Sequence, residues 1–169
     1  MKTAIVTDTN SGITVEEGRQ SGIFVFPMPV IIEEHCYLEG VDITNEDLYQ
    51  AMTADKNLSS SQPSPGDVMD LWNRVLESGY DEIVHIPMSS GLSGSCQTAK
   101  QLALDYDSKV QVVDNHRISV TLMESVYDAK FLADQGKSAV EIRKYLEETA
   151  YQASIFLTVN SLKYLKKSG

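Results

Sequence analysis

Short β-branched apolar runs alternating with helix-length segments predict an α/β fold, a largely parallel sheet flanked by helices. Three observations carry this. Compact apolar runs stand at residues 3–7, 81–87 and 109–113. The segments between them are long enough to hold helices, which parallel neighbours need as crossovers. Each run also ends in a polar turn rich in Ser, Asn, Asp or Gly, the place where such sheets collect ligands.

The elements follow in order. Thr3-Ala4-Ile5-Val6-Thr7 reads as a strand feeding the polar cluster Asp8-Thr9-Asn10-Ser11-Gly12. Residues 23–32 are apolar but carry Pro27 and Pro29, so two short strands with a bend are expected. Residues 37–43 suggest a turn or small hairpin, and Thr44 caps a helix reaching about Met52, with Glu46 and Asp47 in its first turn. Residues 53–61 read as a polar connection. Ser64-Pro65-Gly66-Asp67 opens a helix whose stripe is Val68, Leu71, Trp72, Val75 and Leu76, ended by Gly79. After the strand at 81–87 comes a Ser/Gly loop and a helix with the stripe Leu92, Cys96, Ala99 and Ala103. The strand at 109–113 leads to Asp114-Asn115-His116, then to a helix over 119–135 closed by Gly136. Ser138 and Glu141 form a capping box for a helix to about Gln152. Residues 154–159 read as a last strand, and Asn160 caps a short helix with Lys163, Lys166 and Lys167 at its C-terminal end.

The chain has 169 residues, 42% of them hydrophobic, enough for one domain with a real core. Its formal net charge of −10 repels a phosphate backbone and argues against nucleic-acid binding. No apolar run approaches the roughly 18 residues that cross a bilayer, and MKTAIVTDTN turns polar too early for a signal peptide. A cytoplasmic protein without membrane insertion is expected. Cys36 and Cys96 have no ligand-like spacing and read as small buried hydrophobes.

Four polar loops gather at the expected ligand edge: Asp8 to Ser11, Ser59 to Gln62, Ser89 to Gly94 and Asp114 to His116. Hydroxyls and glycines at a helix N-terminus suit a carboxylate or phosphate oxygen, because the first N–H groups there are unpaired and the helix end is partly positive. The same serines would also serve as ordinary helix caps. No Walker lysine follows Gly94, and Gly91-Leu92-Ser93-Gly94-Ser95 lacks the closing glycine of a nucleophile elbow. His35, His85 and His116 show no metal spacing. His85, inside a strand, reads as a satisfied core imidazole, and His116 is the histidine to consider at a site edge. Neither a catalytic group, a metal nor a cofactor is indicated. From the residues alone the chain is an α/β domain suited to a small anionic group.

Several segments together are similar to the DegV family: Ala4 to Thr9, Gly40-Val41-Asp42-Ile43-Thr44, Ser60-Ser61-Gln62-Pro63-Ser64, Ile86 to Ser95 with its Ser89-Ser90-Gly91-Leu92-Ser93-Gly94, Val112-Val113-Asp114 and Val159 to Leu165. The likeness runs in order along the whole chain. It implies a bacterial protein that binds a long-chain fatty acid in a tunnel, as the binding subunit of fatty acid kinase. A separate catalytic kinase subunit would phosphorylate the carboxylate. By the same resemblance the carboxylate is held by Ser60 or Ser61 and by Ser93, with the Gly94 amide in the cradle; Asp8 and His116 stand at its edge by their place in the polar loops. Family members continue beyond Leu165-Lys166-Lys167-Ser168-Gly169 into a second domain, which supplies an arginine and a histidine to the site. The expectation here is therefore the family's N-terminal domain over 1–159, with 160–169 starting the helix toward an absent second domain. A tunnel left open in this way implies a homodimer, or a cover of lipid or another protein. Asp114-Asn115-His116-Arg117 departs from the family's turn, and Arg117 is assigned no site role, although it offers a replacement positive charge. Two alternatives stand beside this reading: an enzyme acting on a phosphorylated metabolite, and a shortened remnant with a structural or regulatory role that binds no lipid.

Overall fold

A computed structural model describes residues 1–156 and 158. Four strands, β1 (Thr3–Asp8), β2 (Phe24–Phe26), β6 (Glu82–Ile86) and β7 (Val110–Val112), form one parallel sheet in the order β2-β1-β6-β7. Three short strands, β3 (Pro29–Ile32), β4 (His35–Leu38) and β5 (Leu58–Ser60), form a separate antiparallel sheet in the order β4-β3-β5. The apolar run at 23–32 is thus two strands, as its prolines required, and the bend between them passes the chain from one sheet to the other. The turn expected at 37–43 forms after β4, where the Val41 and Asp42 N–H groups donate to the Leu38 carbonyl and Glu39 bridges Ile43, whereas the hairpin itself is β3-β4, one step earlier, with Glu33 and Glu34 at φ of 49° and 80° in its turn.

Helices cover both faces of the parallel sheet. α5 (Ser119–Asp134) and α6 (Ala139–Glu148) pack with Ile5, Val84, Ile86 and Val113 on one side. α3 (Pro65–Glu77) and α4 (Ser95–Leu102) pack with Ala4, Val6, Ile83 and Val112 on the other. Successive strand residues point to opposite faces, so β1 and β6 feed both layers, as a doubly covered parallel strand must. α2 (Asn45–Thr53) covers the small sheet through Ala51, Ile32 and Ile43. The expected caps form: Thr44 with Asp47, Ser138 with Glu141, and Ser64 ahead of Pro65.

Several expectations are corrected. α1 (Val15–Ser21) was not anticipated. It is set by a capping box between Thr14 and Glu17 but has no apolar stripe, because it meets its neighbours through Gly18, where a Cβ would lie 2.8 Å from the Ile23 carbonyl. β5 falls in the supposed polar connection, since Val30, Ile31 and Ile32 of β3 supply its pairing. Leu92 precedes α4 and is exposed rather than part of its stripe. α6 ends at Glu148 and a 3-10 turn, Ala150–Gln152, follows. Cys96 is buried as expected, but Cys36 on β4 is exposed. At the expected final strand, Ser154, Ile155 and Phe156 are exposed and unpaired to the sheet; the rest of it beyond Thr158, and the helix after Asn160, lie outside the described residues.

Candidate functional site

The parallel direction of β1, β6 and β7 brings their following loops to one edge of the sheet. The loop between β6 and α4 is organised around Ser89. Its N–H donates to the Arg117 carbonyl (2.9 Å), its carbonyl accepts from the Leu92 and Ser93 N–H groups (3.0 and 3.2 Å), and its Oγ accepts from the Gly91 N–H (3.2 Å). This winds the chain so that Ser93 and Gly94 stand at the start of α4.

Ser93 Oγ accepts a hydrogen bond from the Ser95 N–H at 3.2 Å. That bond occupies a lone pair, so the hydroxyl hydrogen remains available to donate outward. Gly94 is the N-cap of α4 and provides no side-chain cap. Among the described residues its N–H takes no partner. The approach is close: a Cβ added here would lie 3.3 Å from Gln62 Oε1, which would have to give way by a few tenths of an ångström. Thr98 Oγ1 donates to the same Gln62 oxygen at 3.3 Å, so the end of β5 and the following residues are held against the first turn of α4. Ser60 and Ser61 in that segment are exposed. The structure therefore brings the four predicted cradle residues to two adjoining segments.

The acids of the edge have other duties. Asp8 is almost fully buried; its Oδ1 accepts from Asn10 N and Nδ2, both at 3.0 Å, and its Oδ2 accepts from the Met88 N–H at 3.0 Å. Burial raises its pKa, opposed by these N–H donors. Asp8 thus fastens the loop after β1 to the loop after β6. Thr9 Oγ1 donates to Glu39 Oε2 at 2.5 Å and accepts from the Met28 N–H at 3.2 Å, which ties the small sheet to the same edge. Asp114 Oδ1 accepts from the Ser90 N–H at 3.3 Å and the His116 N–H at 3.4 Å. Burial works to raise the Asp114 pKa, but the bonds from Ser90 and the neighbouring His116 outweigh it and lower it.

His116 is exposed, in the left-handed region at φ 56°, with its ring stacked on Tyr151 at 5.1 Å and its Nδ1 3.6 Å from Asp114 Oδ1. It sits beside the cradle and is engaged by these two neighbours. Arg117 does not offer a spare charge. Its buried guanidinium donates to Ser125 Oγ (2.8 Å), Thr149 O (2.6 Å) and Ala150 O (3.3 Å), the last two at the C-terminal end of α6, where a cation is favoured. His85 is buried as expected but not satisfied, because its Nδ1 has no hydrogen-bond partner. Gln62 and Ser89 had been read only as loop residues; their parts in shaping the cradle depend on contacts distant in sequence, which no local pattern signals. Among the described residues no group of His, Cys, Asp or Glu is arranged to hold a metal, and no helix is long and apolar enough to cross a membrane. Two clefts elsewhere, about 690 Å³ along β7 and about 620 Å³ between β2 and α3, include none of the cradle residues.

Comparison with known proteins agrees with this fold. A family model described as an uncharacterised DegV-family protein matches residues 2–169. A DegV domain-containing protein of Staphylococcus aureus is 33% identical over 168 residues, covering 99% of this chain and 60% of that protein. One from Deinococcus radiodurans is also 33% identical, over 170 residues, again with 60% of the relative covered. The chain thus spans about 60% of the length of the curated relatives it matches. Among solved structures, a stearic acid-binding protein from Eubacterium ventriosum superposes with a TM-score of 0.82 at 29% identity, covering 99% of this chain and 59% of that one. A fatty-acid-binding DegV protein from Thermus thermophilus gives 0.80 at 28% identity, covering 89% and 54%. With its parallel sheet, its Ser/Gly loop at the start of α4 and a match from end to end, the chain belongs to the DegV family.

Proposed function

We propose that this chain binds a long-chain fatty acid and holds its carboxylate at the N-terminus of α4. The observation that carries the reading is the pair of unspent donors there: the Ser93 hydroxyl hydrogen and the Gly94 N–H, next to the hydroxyl-rich end of β5. Both are hydrogen-bond donors at the partly positive end of a helix, which favours a carboxylate oxygen. The fatty-acid binding described for the relatives from Eubacterium ventriosum and Thermus thermophilus supports the same ligand class. Ser60 or Ser61 supplies a second hydroxyl. Asp8 and Asp114 brace the loops, and His116 borders them.

In this reading the chain is a binding subunit. Ser93 is bonded to a backbone amide and not to a base that would make it a nucleophile, and the resemblance to the family adds a separate ATP-using kinase subunit that phosphorylates the held carboxylate. The protein works in the cytoplasm of a bacterium, and the acyl chain of the ligand is covered by apolar surface, that of a second copy or of further protein. The first test is to purify the protein from bacterial cells, denature it and identify what it releases by mass spectrometry; a near-stoichiometric fatty acid is expected. The second is direct titration with oleate. Ser93→Ala is expected to weaken binding by about 1.5 to 3 kcal/mol, the value of a hydrogen bond to a charged group. Unchanged affinity removes Ser93 from the cradle, and folded protein that neither carries nor binds a fatty acid removes the reading.

A further inference from the structure

Below the cradle, on the α3–α4 side of the sheet, lies a small cavity of about 20 Å³ whose wall includes Asp8, Val68, His85, Ser95 and Thr98. Two of these residues carry buried polar atoms without a hydrogen-bond partner, His85 Nδ1 and Ser95 Oγ. Such atoms are rare in folded proteins, and when two of them border one cavity a bound molecule between them is the usual resolution. His85 is 5% exposed, projects from β6 and meets the Trp72 ring edge-on at 5.5 Å. Ser95 is the first residue of α4, and its N–H is the one held by Ser93 Oγ.

The chemistry of the wall selects the occupant. Burial lowers the His85 pKa to about 4, so the ring is neutral and Nδ1 presents either one N–H or one lone pair. A serine hydroxyl both donates and accepts. The occupant must therefore be small, uncharged and able to do both. A cation is poorly served, because Asp8 is the one acidic side chain in the wall and both its oxygens already accept from Asn10 and Met88. The volume exceeds the 10–15 Å³ or so that one water needs and leaves little for anything larger.

We infer that this cavity is the binding site of one ordered water, hydrogen-bonded to His85 Nδ1 and Ser95 Oγ, and that through it His85 is a positioning residue for the carboxylate cradle. The water ties the sheet to the first residue of α4, and Ser95 in turn orients Ser93 through its backbone N–H. The first half of the inference stands on the cavity alone; the second rests on the fatty-acid reading of the cradle.

The two halves are tested separately. A high-resolution crystal structure of the unliganded protein is expected to show a solvent peak within about 2.7 to 3.2 Å of both atoms. An empty cavity, or a direct bond between His85 and Ser95, overturns the site. Nitrogen NMR of the His85 ring gives a second view: Ser95→Ala shifts the Nδ1 resonance and Ser95→Thr restores it, whereas a resonance indifferent to both variants counts against a shared water. For the positioning role, oleate titration of folded Ser95→Ala and His85→Leu is expected to show affinity weakened about two- to tenfold, the range of one neutral hydrogen bond. Wild-type affinity in both variants, with the water present in the parent protein, overturns the positioning role. Absence of oleate binding by the parent protein removes the fatty-acid reading and with it the positioning role, while the solvent peak still decides the water site.

Discussion

On the α5–α6 face of the parallel sheet, Ile5, Val84, Ile86 and Val113 meet Leu122, Val126, Ala129, Ile142 and Leu146, each at 1% exposure or less. On the α3–α4 face the corresponding layer contains Trp72, whose indole N–H is buried without a partner, and His85, whose Nδ1 is likewise unpaired and which lines a small cavity. The same strands supply both layers, so the difference lies in what each face must do. The first is a tightly packed apolar seam at whose end the buried Arg117 guanidinium is satisfied by Ser125, Thr149 and Ala150. The second carries the start of α4 and the cradle, and it includes polar groups that a purely structural layer would exclude. The two faces are packed alike but differ in how their buried polar groups are satisfied, and the proposed cradle lies beside the second.

Deleting volume from the closed seam is the strongest way to break this contrast. Leu122→Ala removes a side chain at 0% exposure and is expected to cost about 2 to 5 kcal/mol in urea unfolding, because so tight a seam cannot collapse around the gap. A loss below about 1 kcal/mol would show that the two faces are equally yielding. Acid comes next. The folded pKa of His85 is lowered by burial from 6.5 to about 4, so the folded state resists protonation there. The stabilising difference is fully present above the unfolded value and is lost as pH falls from about 6.5 through about 4, amounting to at most about 3 kcal/mol. Asp8 works in the opposite sense, since burial raises its pKa and its protonation on acidification favours the folded state. The His85 contribution is therefore read as the difference between the parent protein and His85→Leu across that window; parallel curves would sink it. The smallest effect is expected from Trp72→Phe, which gives up some ring area but also removes the unpaired indole N–H. A change within about 1 kcal/mol is expected, against 3 to 5 or so for the ordinary loss of a buried Trp side chain. A large loss would mean that the indole N–H has a partner in solution.

How much of this was legible in the sequence depends on how local the cause is. The helix starts at Thr44, Ser64 and Ser138 were readable because each cap is settled within four residues of chain. The strands β1, β6 and β7 were readable because burial on both faces makes their centres largely apolar, with Ala4-Ile5-Val6, Ile83-Val84 and Val110 and Val112. α1 escaped, although Thr14 and Glu17 carry the same capping signature, because its packing surface is Gly18 and leaves no stripe. β5 escaped because Leu58-Ser59-Ser60 has no strand character of its own and takes its form from β3. At the site, Ser93 and Gly94 announced themselves as hydroxyl and glycine at a strand-to-helix junction. The closure of Gln62 onto Thr98, the diversion of Arg117 to α6 and the unpaired nitrogen of His85 arise from tertiary contacts and left no trace in spacing.

The unequal exposure of the two cysteines has a practical consequence. Cys96 is sealed under α4 with its thiol pushed by burial up to about 11, which keeps it from forming the thiolate that reacts. Cys36 lies open on β4, a few positions before the Glu39 that grips Thr9 beside the cradle. A thiol-selective dye added to the unmutated protein would therefore mark Cys36 in preference to Cys96 and place a fluorescent label on the small sheet. Any movement passed from the ligand edge through Thr9 and Glu39 would then register as a change in emission.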